Sequence, residues 1–362
     1  MSEMQEILKT IDKWQKDGQQ MALATVIKIK GSAYRRPGAR MLISWNGDSV
    51  GMLGGGCFDA DVKEVAQKVI ESGISRMHLY QLSDTDVWGL GLGCSGSVFV
   101  LIESLETKSG EIFISNVKRS LGRNQSLTVL HQFSKKVEFD SDFMNGTVAV
   151  ERYYSPELSH LTHVLEKGTY FQELIEPSPR LVIFGAGHDV IPVVEFASEC
   201  GFNVVVVDQR IELLNRDRFP KAAAFVPSSP ELFQDKIRPL ENDYVLFMSH
   251  NIHTDAKAFN FYRKQPVTYL GFLGPKSRTS QIMHDILQVQ QLELKAISHL
   301  IYSPVGMDLG AETPEQVAVS IVSELMIIKN RSVPQLLKDK VGTIHDPQPP
   351  KPRASHCHPK GR

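Results

Sequence analysis

Two of the four cysteines in this chain follow directly on glycines: Cys57 ends Gly54-Gly55-Gly56-Cys57, and Cys94 sits inside Gly91-Leu92-Gly93-Cys94-Ser95-Gly96. Upstream of both, Gly31-Ser32-Ala33-Tyr34-Arg35-Arg36-Pro37-Gly38-Ala39-Arg40 carries Arg35, Arg36 and Arg40 close together. Glycines leave backbone N–H groups uncovered, guanidinium groups supply positive charge and sulfur is a soft ligand. These residues therefore read as an anion-binding loop with soft donors beside it. Cys57 leads into a helical pattern with Asp59 near its start, and a helix N-terminus favours the thiolate, the form that holds soft metals. Taken singly, each cysteine also reads as a small buried hydrophobe, and it is the arginines that favour a site.

A second chemistry-bearing pattern begins at Arg180, where a buried-strand run breaks into Gly185-Ala186-Gly187-His188 and Asp208 ends the next strand. Glycines let a backbone approach a phosphate, the helix dipole stabilises its charge, and an acid at that distance accepts hydrogen bonds from a ribose diol. Val190 stands where a third glycine is usual, crowding the helix against the strand or the ligand. His188 reads equally as a ligand contact or a cap of the turn. Later strands end in Ser249-His250-Asn251 and in Gly274-Pro275-Lys276-Ser277-Arg278, and in an open parallel sheet those ends face the same crevice. Lys276 and Arg278 suit phosphate there, and a solvated helix start accounts for them as well. Cys200 belongs to the apolar face of its helix and to the core. Scattered serines and histidines give no nucleophile and base at a recognisable spacing, so no catalytic residue is assigned.

The elements that must position these residues fall into an α/β chain of four parts. Residues 1–106 read as a small α+β domain: an amphipathic helix, strands at 21–30 and 41–44, a turn at Asn46-Gly47, a glycine-rich loop at 50–57, a helix, and strands at 77–82 and 97–103. Residues 107–179 read as a connecting subdomain with a helix and strands at 127–133 and 147–151, closed by the hinge Pro177-Ser178-Pro179. Residues 180–330 alternate strands with helices, the first helix at 188–200 and the last at 315–329, which predicts a Rossmann-type doubly wound parallel sheet. In residues 331–362 proline and lysine take over and order is expected to fade, the tail His356-Cys357-His358 being at most an adventitious metal grip.

Bulk composition narrows the possibilities. A formal net charge of -1 draws the molecule neither to nucleic acid nor to an anionic membrane. The charged N-terminus lacks the apolar stretch of a secretory signal and no apolar run reaches membrane-spanning length, so a cytoplasmic protein with free thiols is expected.

In order and spacing, GSAYRRPGARMLI with GMLGGGC, GLGLGCSGS, RLVIFGAGH with VVVVDQR, DYVLFMSHN, YLGFLGPKSR and YSPVGMDLGAETPEQVAVSIVSEL resemble the XdhC/CoxI family of molybdoenzyme accessory proteins. The resemblance spans about residues 21–329. It implies a maturation factor that binds molybdenum cofactor, protects its sulfurated form and delivers it to xanthine dehydrogenase or a related hydroxylase. It also implies a homodimer and a sulfurtransferase as a further partner. By resemblance, Gly54, Gly55, Gly56, Cys57 and Cys94 carry over as cofactor-binding residues, with both cysteines near molybdenum, and Gly185, Gly187 and His188 carry over from the second turn. The chain departs from the family pattern at Val190, where a glycine is usual, and at Cys57-Phe58-Asp59, where Leu-Glu or Val-Glu commonly follows. The residues alone leave a rival open, an NAD(P)-dependent oxidoreductase with the dinucleotide on Gly185, Gly187 and Asp208. Asp208 would repel a 2′-phosphate and so favour NAD over NADP.

Overall fold

In a computed structural model of the chain, the residues described are 3–31, 33–54, 56–82, 96–133, 146–157 and 169–341. Gly55, residues 83–95 with Cys94 and the second glycine cluster as far as Ser95, and the tail with its His-Cys-His run lie outside them.

The chain opens with α1 (Glu3–Lys16), whose buried Met4, Ile7, Leu8, Ile11 and Trp14 recur at helical spacing, with Glu3 and Glu6 in the first turn and Lys13 and Lys16 in the last. Strands β1 (Met21–Gly31), β2 (Arg40–Ser44) and β3 (Ser49–Gly51) follow, then α2 (Gly56–Ser72), β4 (Arg76–Leu82) and β5 (Gly96–Ser104). After α3 (Lys108–Gly122) come β6 (Leu127–Phe133), β7 (Gly146–Thr147), β8 (Val150–Ser155) and β9 (Thr169–Ile175). The first sheet has the order β3-β2-β1-β5-β4-β7, and β6 stands between β8 and β9 in a second.

Alternation along β1 explains why both its faces are buried. Ala22, Ala24 and Val26 pack with Val62, Ala66 and Val69 of α2, whereas Met21 and Leu23 pack with α1 and with Phe113, Ile114 and Val117 of α3. The second cluster also takes in Leu127, Val129 and Ile175, so α1 and residues beyond 107 share one core. Two expectations are revised here. The glycine-rich stretch at 50–57 yields a short edge strand, because Val50 and Gly51 pair with Leu42 and Met41 before the loop begins. The strand expected at 147–151 is two strands in different sheets, β7 pairing with β4 and β8 with β6.

From Arg180 the expected doubly wound sheet is present. Strands β10 (Arg180–Phe184), β11 (Asn203–Asp208), β12 (Ala224–Pro227), β13 (Tyr244–Phe247), β14 (Tyr269–Phe272) and β15 (Ile301–Tyr302) lie in the order β12-β11-β10-β13-β14-β15, all parallel. The first helix, α4 (Val190–Glu199), begins two residues later than expected, because His188 and Asp189 are used in the turn that leads into it. Val190 is fully buried among Leu181, Ile183 and Ala318, so its side chain is taken up by the core under α4 and not by the crevice. Cys200 closes that helix and packs, half-buried, against the same core. On the opposite face lie α5 (Phe233–Lys236) and α6 (Ile252–Tyr262). The short α7 (Lys276–Ser280) and α8 (Gln291–Ile297) precede the last helix, α9 (Pro314–Asn330), which packs beside α4 and starts in a full capping box on Thr313.

Candidate functional site

Antiparallel register brings the N-terminal loops together. Gly31 at the end of β1 pairs with Gly96 at the start of β5, Gly96 pairs with Leu82 at the end of β4, and Met41 at the start of β2 pairs with Gly51 at the end of β3. The arginine segment, the Gly54 to Cys57 turn and the connection that carries Cys94 therefore all leave one end of a single sheet. Cys57 is exposed on the first turn of α2. Asp59, in the first turn of α2, accepts hydrogen bonds from the backbone N–H groups of Leu53 at 3.2 Å and Gly54 at 3.1 Å, which fixes the loop and uses one of the donors, that of Gly54, that the glycines were expected to offer an anion. Gly56 keeps a positive φ of 61°, and a Cβ built there would meet nothing within 4 Å, so the backbone before Cys57 lies open.

The arginines divide. Arg36 is exposed at this end of the sheet, and Arg35, partly buried, is ion-paired to Glu3 of α1. Arg40 is a correction to the anion-loop reading: its guanidinium turns inward to Glu173 of β9, both side chains being almost completely buried. Glu173 also faces His131, at 2.8 Å from Nε2, and His131 Nδ1 accepts from Arg152 Nε at 3.0 Å. Since a guanidinium only donates, His131 is the neutral tautomer that carries its proton on Nε2 and gives it to Glu173. Arg152 is in turn paired to Glu103 of β5. Burial alone would raise the Glu173 pKa, but Arg40 and His131 more than offset it and hold it down at about 2. Burial lowers the His131 pKa. This chain of two ion pairs joined through neutral His131 ties β2, β5, β6, β8 and β9 together. Sequence reading missed it because its members are scattered over strands and share no local spacing.

The second constellation lies at the carboxyl ends of β10 to β13. Gly185 has a φ of 126°, and a Cβ there would stand 2.3 Å from the carbonyl oxygen of Met248, so no other residue fits. The next N–H, from Ala186, donates to Asp208 Oδ2 at 2.8 Å. Arg210 then donates to the same carboxylate three times, from its backbone N at 2.9 Å and Nε at 3.0 Å to Oδ1 and from Nη2 at 2.8 Å to Oδ2. Burial pushes the Asp208 pKa up and these bonds pull it below the usual range. Gly185, Asp208, Arg210, Ser228, Phe233 and Asn251 line a crevice of about 150 Å3.

Other expected residues stand outside the lining. His188 is exposed, and beside Gly187 the Asp189 carboxylate occupies the start of α4, with His250 Nε2 at 2.8 Å from it. Arg278 is engaged by the fully buried Asp255 at 2.8 Å, and Asp255 in turn accepts from Ser249 Oγ at 2.6 Å, so Arg278 stands behind the crevice wall. Burial raises the Asp255 pKa against the pull of Ser249 and Arg278. Lys276 is exposed on the five-residue α7. Sequence reading missed Arg210, although its position two residues beyond a strand-end acid was the available signal. Among the described residues no group of three or more His, Cys, Asp and Glu side chains is placed to hold a metal ion, and no helix is long and apolar enough to cross a membrane.

Comparison with known proteins gives matches at both ends of the chain. A family model described as the XdhC Rossmann domain matches residues 181–325, and one described as the XdhC and CoxI family matches residues 14–81. A Bacillus subtilis protein named as a probable xanthine dehydrogenase subunit is 30% identical over 329 residues, which cover 89% of this chain and 97% of that protein. An uncharacterized Escherichia coli protein, YqeB, is 30% identical over 42% of this chain and 28% of its own length. A crystal structure described as a xanthine dehydrogenase from Bacillus halodurans superposes with a TM-score of 0.76 at 31% identity, covering 91% of this chain and 96% of that one.

Proposed function

Because the chain belongs to the XdhC and CoxI family, we propose that it is an accessory protein of xanthine dehydrogenase or a related molybdenum hydroxylase, which binds sulfurated molybdenum cofactor as cargo and hands it on. The observation that carries this reading is the gathering of the glycine turn, Cys57, Arg36 and the connection bearing Cys94 at one end of the first sheet.

The residues present there fit such a cargo in kind. It is a pterin with a phosphate and a molybdenum held by sulfur, and it needs a soft donor, a cation and bare backbone. Cys57 supplies the thiol, Arg36 the charge, and Gly56 an open backbone position. Asp59 keeps the loop in shape without touching the cargo. Gly55 and Cys94 join the site by the family pattern. In this account the chain binds and shields; the chemistry of hydroxylation stays with the recipient enzyme. A sulfurtransferase that loads the cargo and a second copy of the chain are the further partners that go with this role.

The test is retention. Purified protein incubated with molybdenum cofactor released from a molybdoenzyme should carry molybdenum and pterin through gel filtration, and Cys57→Ser should lose most of both. A protein that carries neither would sink the proposal.

A further inference from the structure

We infer that the cleft between α1 and the amino-terminal end of the parallel sheet is a binding site for an organic phosphate, with Arg216 on one wall and Lys9 and Lys13 on the other. Nothing in this rests on the cargo reading, which concerns the glycine turn of the first sheet.

Two parts of the chain build this cleft. Helix α1 contributes Lys9 and Lys13 from the face turned away from the stripe it buries in the first core. The other wall forms where β11 and β12 begin, from Asn203 and the segment that leads into β12. The cleft therefore lies at the opposite end of these strands from Gly185 and Asp208. Its helical wall is fixed in place, because the buried stripe of α1 is locked in the core and Ser178 Oγ in the hinge donates to Gln5 Oε1 at 2.9 Å. The enclosed volume of about 710 Å3 is that of a small-molecule site, and such sites favour junctions between domains.

Charge selects the ligand. Cations outnumber acids along the lining by four to two, and Lys221 is cancelled by its ion pair with Glu199, which leaves Glu6 against Lys9, Lys13 and Arg216. Lys9 and Lys13 are exposed, one helical turn apart, and without an ion pair among the described residues. Like charges at that spacing destabilise a helix, and a bound anion removes the penalty. Arg216 is held ready by its far side: Nη1 donates to the carbonyl oxygens of Ala222 and, at 3.3 Å, Pro220, and the guanidinium lies 5.3 Å from the centre of the Phe225 ring. Nε and Nη2 are left without a partner among the described residues, and the edge they form is the fork that takes two oxygens of one anion. Three cations against one acid exceed what a single carboxylate neutralises and match a phosphate monoester, which carries about -1.5 to -2 at pH 7. Pro220, Ala222 and Ala223 supply the apolar part of the lining, where the organic body lies.

The test is calorimetric titration of the full chain with 1-naphthyl phosphate, 1-naphthol and inorganic phosphate. The ester should saturate one site per chain and bind at least about tenfold more tightly than either of the others, because it alone uses both the cations and the apolar lining. Arg216→Lys, which keeps the charge and loses the fork, should weaken it several-fold, and Lys9→Gln combined with Lys13→Gln about tenfold. Lys16→Gln, on the same helix but outside the lining, should leave the affinity unchanged. No saturation by the ester at millimolar concentration, inorganic phosphate binding as tightly as the ester, or unchanged affinity in the Arg216 and Lys9/Lys13 variants would overturn the inference. So would a loss in Lys16→Gln as large as in the double variant, which would reduce the effect to net charge. The comparison of three ligands on the unaltered chain keeps it falsifiable if a variant fails to fold. Failure here leaves molybdenum retention untouched, so the two readings fail separately.

Discussion

At the scale of single residues, the side chains that shape the candidate site are not all the ones that touch a ligand. Asp59 holds Leu53 and Gly54 through their backbone N–H groups. Asp59→Ala should lower stability by about 1 kcal/mol, the usual worth of such a cap, in a urea titration, and it should weaken cofactor retention while Cys57 remains in place. Unchanged retention would show that the loop needs no such anchor. Arg40 makes the opposite point. From sequence it belongs with Arg35 and Arg36, but its partner Glu173 lies 133 residues away, a distance that no local pattern reveals. Glu173→Gln leaves a buried guanidinium uncompensated, with Arg40 Nε already lacking a partner, and should cost about 3–5 kcal/mol. A loss under 1 kcal/mol would mean that the pair is open to water. Cys57 and its glycines were legible because a run of glycines weakens any helix or strand and so marks bare backbone; Arg210 was not, because an exposed arginine is ordinary on any protein surface.

At the scale of elements, the sheet ends were legible and the links between sheets were not. Alternation and β-branched content marked β1, and the strand, glycine turn and distant acid marked β10 and β11. The segment beyond residue 107 resisted because its strands divide between two sheets and its inward charges break the apolar pattern. That charge network makes the N-terminal half sensitive to acid. Both His131 and Glu173 have folded-state pKa values below their ordinary ones of 6.5 and 4.5. Their contribution is therefore complete above those values and is lost as pH falls, through His131 first below about 6.5 and then through Glu173 between 4.5 and about 2. Urea unfolding at a series of pH values should show stability declining from pH 6.5 downward, and His131→Gln, which keeps a donor and an acceptor, should remove the upper part of that decline. Stability that rises on acidification from pH 6.5 to 5 would contradict this.

At the scale of the whole molecule, the two six-stranded sheets present two different kinds of site. One end of the first sheet offers sulfur, a cation and bare backbone; the carboxyl end of the second offers a fixed carboxylate and an apolar wall. The Bacillus subtilis relative and the Bacillus halodurans structure match along nearly the whole chain, both of these sheets included. We propose that the first of these sites carries molybdenum cofactor. It is tested most directly by incubating the full chain, and in parallel its Cys57→Ser and Arg36→Ala variants, with cofactor released from a molybdoenzyme, then measuring molybdenum and oxidised-pterin fluorescence in the protein peak after gel filtration. Near-stoichiometric molybdenum and pterin are expected on the unaltered chain, with a loss of about tenfold or more in each variant. Absence of both from the unaltered chain, or equal retention by all three proteins, would contradict it.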